Sequence, residues 1–448
     1  MTSSSAAGLY SEFPGEYDPC TMKTDRFFRR LGAGLLLCVA LAFFAVELRA
    51  QTPVTGQPVP ALASFDSAML ALMDEYDIPG ASLAVARDGR LVFARGYGFA
   101  DREAGTAVQP NSIFRIASLS KVVTAVTIMQ LFQQGELNLD DRVVDLVPGL
   151  SPADSRFNEI TVRHLLQHSG GWDYSSIPDP LFNPRLVAST LGVASPPTPD
   201  DILRFVVGNP LQFNPGTRHS YTNFGFTLLG HVIESVTGQQ YEKYVRENVL
   251  GELGISCMKL GSSLPDNRAR GEVKYYDFPG APTVQSLFSN QTVARPDGGI
   301  YLESFDSMGG WISTAPDLLR FLGGFDGNTV RPDILTPATI AVMNSRPSYA
   351  PNAVAFYALG INVRPVQNGY NAFHAGSLPG TVSYLVRLAN GTSYAVIFNS
   401  RPQDDTEFIA DVDRELFLAQ QAVTAWPQHD LFGENTCSAA SRRRPVRR

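Results

Sequence analysis

Ser118 and Lys121 stand three residues apart in the stretch from Phe114 to Phe132, FRIASLSKVVTAVTIMQLF. A separation of three puts a hydroxyl and an amine on one face of a helix, one turn apart. At a helix start they would meet unpaired N–H groups and the positive end of the dipole. A partly desolvated amine in that setting is pushed toward its neutral form and can take the proton of a serine nucleophile, while the N–H groups face a developing oxyanion. Val122, Val123, Val126, Ile128, Met129, Leu131 and Phe132 make the rest of the stretch apolar nearly all round, which predicts a buried helix. Ser-x-x-Lys is a short pattern, and it recurs at Ser256 and Lys259. There it is followed by Leu260-Gly261-Ser262-Ser263-Leu264-Pro265, which is loop chemistry, so context selects Ser118.

Two further stretches supply polar groups of the right kind. Pro215-Gly216-Thr217-Arg218-His219-Ser220-Tyr221-Thr222-Asn223 precedes a predicted helix. The phenol of Tyr221, placed near a lysine, can give up or relay a proton, and the carboxamide of Asn223 can bond both the amine and a substrate amide. Each also has a plainer use, as a core aromatic and as a helix cap. His374-Ala375-Gly376-Ser377-Leu378-Pro379-Gly380 ends a predicted strand. Gly376 lets a ligand approach the backbone, and an edge strand offers N–H and C=O groups to an extended substrate.

These residues need elements to hold them. Residues 61–76 read as an amphipathic helix. The runs Ala81 to Ala86 and Leu91 to Gly98 flank Asp88-Gly89, a strong hairpin signal. Near the other end, Val382 to Leu388 and Ser393 to Phe398 flank Asn390-Gly391, and Ala358 to Val363 and Asn371 to His374 flank Asn368-Gly369. Residues 406–420 read as a last helix. Between these ends, residues 161–168, 199–207, 223–236 and 240–249 read as helices, and 172–198 and 262–300 are rich in turn formers. The pattern predicts an α+β fold: an antiparallel sheet flanked by helices and interrupted by an inserted, mostly helical lobe, with the site in the crevice between them.

The 448 residues divide into a leader over 1–50, one domain over 51–425, and a tail over 426–448. Within the domain the sheet part occupies about 60–140 and 305–420, around an insertion at about 141–304. The leader reads as a secretory signal from Met22: Lys23, Arg26, Arg29 and Arg30 precede the apolar run Leu31 to Val46, and Ala50 offers a cleavage site. That run is short of the ~20 residues a membrane span requires. The expectation is a periplasmic or secreted protein with no stable membrane span after signal removal, anchored only if the leader stays uncleaved. A net charge of -7 argues against a nucleic-acid partner. Beyond the leader only Cys257 and Cys437 remain, and both a disulfide and two free thiols stay open.

Taken in order, Ser-x-x-Lys, Tyr-x-Asn and His-x-Gly make the chain resemble the serine β-lactamase and penicillin-recognising superfamily, in its class C-like branch of β-lactamases, D,D-peptidases, D-aminopeptidases and esterases. The resemblance extends through Ile113 to Ser118, Leu165-Leu166-Gln167-His168-Ser169-Gly170-Gly171, the Pro-Gly-Thr ahead of Tyr221, Gly309 to Leu318 and His374 to Gly380. It implies that Ser118 is the acylated nucleophile and that Lys121 and Tyr221 are the proton-transfer pair. Asn223 would orient the substrate beside the strand of His374, Gly376 and Ser377, and the N–H groups of Ser118 and Ser377 would form the oxyanion hole. The implied reaction is acyl transfer through a covalent ester, on a small-molecule or peptide substrate and without cofactor or metal.

Class C β-lactamases carry Lys-Thr-Gly where this chain has His374-Ala375-Gly376. A histidine is largely neutral near pH 7, so the permanent cation that holds an antibiotic carboxylate is missing. The departure is similar to the D,D-peptidases and esterases of the group. The expected activity is therefore an esterase or D,D-carboxypeptidase-like hydrolase, with a class C-type β-lactamase and a non-catalytic cell-wall peptide or β-lactam-binding protein as the alternatives. His164 and His168 have metal-ligand spacing, but Leu165 breaks the zinc-protease pattern and no third ligand follows. Gly-x-Ser-x-Gly, the mark of an α/β-hydrolase, does not occur; Ser307-Met308-Gly309 has Phe305 where that pattern needs glycine.

Overall fold

The structure, a computed structural model, describes residues 52–433, so the predicted leader and the basic C-terminal run fall outside the described residues. Strand β1 (Gly80–Arg87) turns into β2 (Arg90–Asp101) through Asp88 and Gly89, both at positive φ, 49° and 76°. Two left-handed residues make the tight turn whose twist suits a hairpin, and Asp-Gly is the pair that adopts it cheaply. The remaining strands come from the other end of the chain: β3 (Phe356–Tyr357), β4 (Asn362–Val366), β5 (Gly369–Leu378), β6 (Thr381–Arg387) and β7 (Thr392–Phe398). Their antiparallel order is β2-β1-β7-β6-β5-β4-β3, with Val54–Thr55 on the outer edge of β2 and Thr106–Ala107 also paired to it. The sheet is closed across the sequence by β1 and β7, which pair from Ala81 with Phe398 to Arg87 with Thr392.

Both faces of this sheet are covered, so its central strands read as apolar throughout rather than as alternating. Leu83, Val85, Tyr384, Val386, Tyr394 and Val396 face α1 (Ala63–Glu75) and the long C-terminal helix Asp405–Gln421, meeting Phe65, Met69, Phe408 and Val412. Ala84, Ala86, Leu385, Ala395 and Ile397 face the larger core on the opposite side. That core is built on α2 (Ser120–Gln134), in which every residue from Ser120 to Leu131 is buried. The inserted lobe packs on it through α3 (Asn223–Thr237) and the shorter helices Val162–Leu166, Pro199–Val207 and Tyr241–Val245.

Several bounds differ from the sequence reading. Residues 358–361 form the turn between β3 and β4 rather than a strand, and 246–250 continue the helix after Val245 as a π turn. The turn-rich stretch 262–300 contains short strand pairings, Val284–Gln285 with Thr292–Val293 and Tyr276–Asp277 with Ser400–Arg401. Residues 426–433, read as tail, run back over β2: His429 Nε2 lies 2.9 Å from Val92 O, Leu91 N–H donates to Asp430, and Phe432 is buried. Cys257 is disulfide-bonded, which removes the free-thiol alternative for it; Cys437 lies outside the described residues. Among the described residues no helix is long and apolar enough to cross a membrane.

Candidate active site

Ser118 sits in a single 3-10 turn, Ala117–Leu119, that runs directly into α2, so it stands just ahead of the helix rather than in its first turn. The backbone before it is strained: Ala117 has φ 49°, the left-handed region that an alanine enters only when its surroundings hold it there. The holding groups are identifiable. Ser120 Oγ donates to Ala117 O at 2.6 Å, Ile116 N–H donates to Trp311 O at 3.0 Å, and Ser383 Oγ on β6 donates to Ile116 O at 2.7 Å. One residue earlier, the buried guanidinium of Arg115 donates to the carbonyls of Pro296 and Ser262, and Thr381 donates to its carbonyl. The turn is thus pinned from the sheet, from α2 and from the 262–300 segment at once.

Lys121, fully buried, reaches three oxygens. Its Nζ is 3.1 Å from Ser118 Oγ, 2.8 Å from Asn223 Oδ1 and 2.7 Å from the carbonyl of Met308. Burial lowers its pKa from 10.5 to about 7, with the Asp179 carboxylate pulling the other way. The neutral amine has two hydrogens and one lone pair. Asn223 Oδ1 and Met308 O can only accept, so they take the two hydrogens and the lone pair is left toward the Ser118 hydroxyl.

The orientation of Asn223 is itself fixed. Its Nδ2 donates to Asp179 at 2.8 Å, and because a carboxylate only accepts, Oδ1 must face Lys121. Asp179 caps the turn Pro180–Phe182 by accepting from Leu181 N–H at 3.0 Å, and burial raises its pKa. The ring of Tyr221 lies with its centroid 5.1 Å from Lys121 Nζ and is backed by the ring of His168 at 4.1 Å. His168 is fully buried and accepts from Thr222 N–H at 3.2 Å, which positions the start of α3. Its pKa is held well below 6.5, first by burial and then by His219, Lys121 and His374, so it is neutral.

The third motif lies along β5, where Pro379-Gly380 joins Leu378 to Thr381 in a two-residue turn. Such a turn closes on a hydrogen-bonded pair, and alternate residues then send N–H and C=O to opposite sides. Ser377 therefore directs its N–H away from β6. On that outer side the ladder to β4 ends at Phe373, which leaves the edge from 374 onward open. The Ser377 side chain points to the other face, where its hydroxyl donates to Asp405. Gly376 lies against the Ser118 turn: a Cβ there would stand 2.5 Å from Ile116 O and 2.9 Å from Ser118 N. His374 is fully buried. Its Nδ1 meets the carbonyl of Ala375 at 2.7 Å and its Nε2 the hydroxyl of Tyr357 at 3.0 Å. The carbonyl only accepts, so Nδ1 carries the proton and Nε2 accepts from Tyr357. Burial, aided by Lys121, lowers the His374 pKa to about 3. It supports the strand and presents no cation to the cleft.

Against known proteins, the Beta-lactamase family model matches residues 65–417. The chain belongs to the beta-lactamase family. This beta-lactamase-family chain is 28% identical over 371 residues to penicillin-binding protein 4 of Amycolatopsis lactamdurans, covering 80% of the chain and 90% of that protein. Among solved structures it shares the fold of EstCE1, a hydrolase with promiscuous acyltransferase activity (TM-score 0.63, 23% identity, 82% of this chain and 99% of that one). It also shares the fold of the D-amino acid amidase of Ochrobactrum anthropi SV3 (TM-score 0.61, 24% identity, 80% and 99%).

Ser118, Lys121, Tyr221 and Asn223, singled out from sequence, come together here with Gly376 and the backbone of Ser377, while the His374 side chain is turned inward. Three members went unread. Asp179-Pro180 carries only a cap signal, Met308 contributes a backbone atom, and Tyr357 is one aromatic among many. In the beta-lactamase-family chain all three act on Lys121 or His374.

Proposed function

We propose that this chain is a serine hydrolase that forms an acyl ester on Ser118 and acts on an ester or a D-amino-acid-containing amide. One observation carries the reading: Lys121 Nζ is gripped by two fixed acceptors so that its lone pair faces Ser118 Oγ. With a pKa of about 7 the amine is substantially neutral at working pH. In the acylation step the Ser118 proton passes to Lys121 as Oγ bonds to the substrate carbonyl carbon. The carbonyl oxygen gains the charge and faces the N–H groups of Ser118 and Ser377, each such donor being worth about 3 kcal/mol. Tyr221, beside the new ammonium, hands a proton to the leaving oxygen or nitrogen as its bond to carbon breaks. Water then attacks the ester by the same route in reverse, and the Ser118 hydroxyl is restored.

The electrostatics of the cleft select among substrates. A β-lactam and a D-Ala-D-Ala peptide both bring a carboxylate, which asks for a cation, and His374 is neutral and buried. The acidic side chain at the site, Asp179, is engaged by Asn223, so the reading favours a neutral ester or a D-amino-acid amide, neither of which asks for a cation at this position. Proteins of this fold include a D-amino acid amidase and a hydrolase with promiscuous acyltransferase activity, the two solved structures named above. The leader read from sequence supports a periplasmic or secreted site of action.

A fluorescent fluorophosphonate tests the nucleophile directly. Labelling of the wild type that disappears in Ser118→Ala is expected; labelling that survives removes Ser118 from the role. Nitrocefin, a short-chain p-nitrophenyl ester, a D-Ala-D-Ala peptide and a D-amino-acid amide, compared on the purified protein, should rank with the ester or the amide first.

A further inference from the structure

A cavity of about 140 Å³ opens where β5 loses its neighbour, lined by His219, Tyr349, Phe356, Tyr357, Asn362 and Phe373. Asn362 heads β4 and pairs across to Tyr357 on one side and to Phe373 on the other. The cavity therefore begins at Phe373, the last paired position of the strand, one residue before the open edge starts at His374. Tyr357 divides it from the catalytic groups. Its hydroxyl bonds His374, and its ring stands edge-on to that of Tyr221 with centroids 6.3 Å apart.

The lining has a definite chemistry. Five of the six named side chains are aromatic, and His219 is neutral, its pKa lowered to about 4 by burial and by Arg218. The Tyr349 hydroxyl donates to Gln167 O at 2.9 Å, and the guanidinium of Arg346 covers the Phe356 ring at 4.3 Å, which keeps that wall in place. Asn362 is 4% exposed, and its Nδ2 finds no hydrogen-bond partner among the described residues. A buried amide donor left unmatched is costly, and an acceptor delivered by a ligand removes that cost. As to size, a cavity of roughly 150 Å³ is enough to hold benzene.

We propose that this cavity is the subsite for the leaving group, and that it takes a six-membered aromatic ring bearing a hydrogen-bond acceptor for Asn362 Nδ2. The leaving-group side follows from Tyr221, which borders the same Tyr357 ring and hands its proton to the departing atom; to that extent the assignment rests on the reaction proposed above. Flat rings stack on Phe356 and Tyr357 where a straight alkyl chain gains only area. The substrate class is thereby narrowed to aryl-bearing esters or amides.

Two arms test the subsite separately from the reaction. In the first, benzyl acetate and butyl acetate, whose alcohols leave with similar ease, are compared as substrates. The wild type should prefer the benzyl ester in kcat/KM by about tenfold, and Phe356→Ala should reduce that preference to less than about twofold; an undiminished preference in the variant overturns the subsite. In the second arm, calorimetry on Ser118→Ala compares benzamide with butyramide, so no turnover is required. Benzamide should bind about tenfold more tightly, and Asn362→Leu should weaken benzamide binding by about tenfold. Equal affinity for the two amides, or an Asn362→Leu variant that binds benzamide as well as its parent, overturns the subsite whatever the fluorophosphonate result. Benzamide selectivity without any serine labelling would retain the subsite and discard the hydrolase reading.

Discussion

Asp179 and Asn223 share a 2.8 Å hydrogen bond, and that bond decides which end of the Asn223 amide meets Lys121. The carboxylate also acts through charge, stabilising the ammonium form of Lys121 against the desolvation that lowers its pKa to about 7. The acid limb of kcat/KM in the wild type should therefore fall near pH 7, where the general base loses its lone pair. In Asp179→Asn the ammonium loses its support, the amine stays neutral to lower pH, and the limb should move down by about half to one unit. A limb that moves up would show that desolvation by the loop, and not the carboxylate, sets the lysine.

Lys121→Met keeps an unbranched apolar chain in α2 but has no base. Turnover should fall by about a thousandfold with the far-ultraviolet circular dichroism unchanged. The depressed pKa also has a stability sign. Below about pH 7 both folded and unfolded chains carry the proton, and the native state bears the full burial penalty; as pH rises toward 10.5 that penalty fades. Between pH 7 and pH 9 the wild type should gain about 2 kcal/mol relative to Lys121→Met in denaturant unfolding. No change in the difference would mean that Lys121 keeps its proton in the folded state throughout this range.

Gly376→Ala tests the contact between β5 and the nucleophile turn. The added methyl would meet Ile116 O at 2.5 Å and Ser118 N at 2.9 Å, and both are backbone atoms with little room to yield. The nucleophile and its N–H would have to shift together, so kcat should drop by about a hundredfold or more. The strain should cost about 1–3 kcal/mol of stability. Retained kcat would mean that the Ser118 N–H is not placed by this contact.

Nitrocefin should be a poor substrate, with kcat/KM at least about a hundredfold below that of the best short-chain ester. His374→Lys alone should not rescue it. The position is fully buried beneath Tyr357, and a lysine there would be desolvated toward neutrality as Lys121 is. A gain of tenfold or more would show that the new cation reaches the cleft.

The sheet was legible because its hairpins advertise themselves. Asp88-Gly89 and Asn390-Gly391 name their turns, and the helix over 199–207 has the predicted bounds, set by a threonine cap and a proline in its first turn. That Ser118, Lys121, Tyr221 and Asn223 would be brought together was legible from the Ser-x-x-Lys and Tyr-x-Asn motifs. Asp179 and Met308 were not. The first acts through a contact 44 residues along the chain and the second through a carbonyl, and neither leaves a periodic or compositional trace. His374 was read in the right strand, but no pattern reveals that an aromatic hydroxyl from β3 will cover it. The segment 426–433 has little apolar periodicity of its own, and it is held to β2 by single bonds from His429 and Asp430.

The pairing of β1 with β7 has a consequence for when the protein becomes competent. Ser118 is synthesised in the first third of the chain, yet the sheet beneath it includes a strand that leaves the ribosome more than 250 residues later. A nascent polypeptide therefore lacks the bonds from Thr381 and Ser383 that hold the Ser118 turn until the final strands dock. Any cleavage that strips the chain after about residue 380 removes that support without touching Ser118, Lys121 or Tyr221.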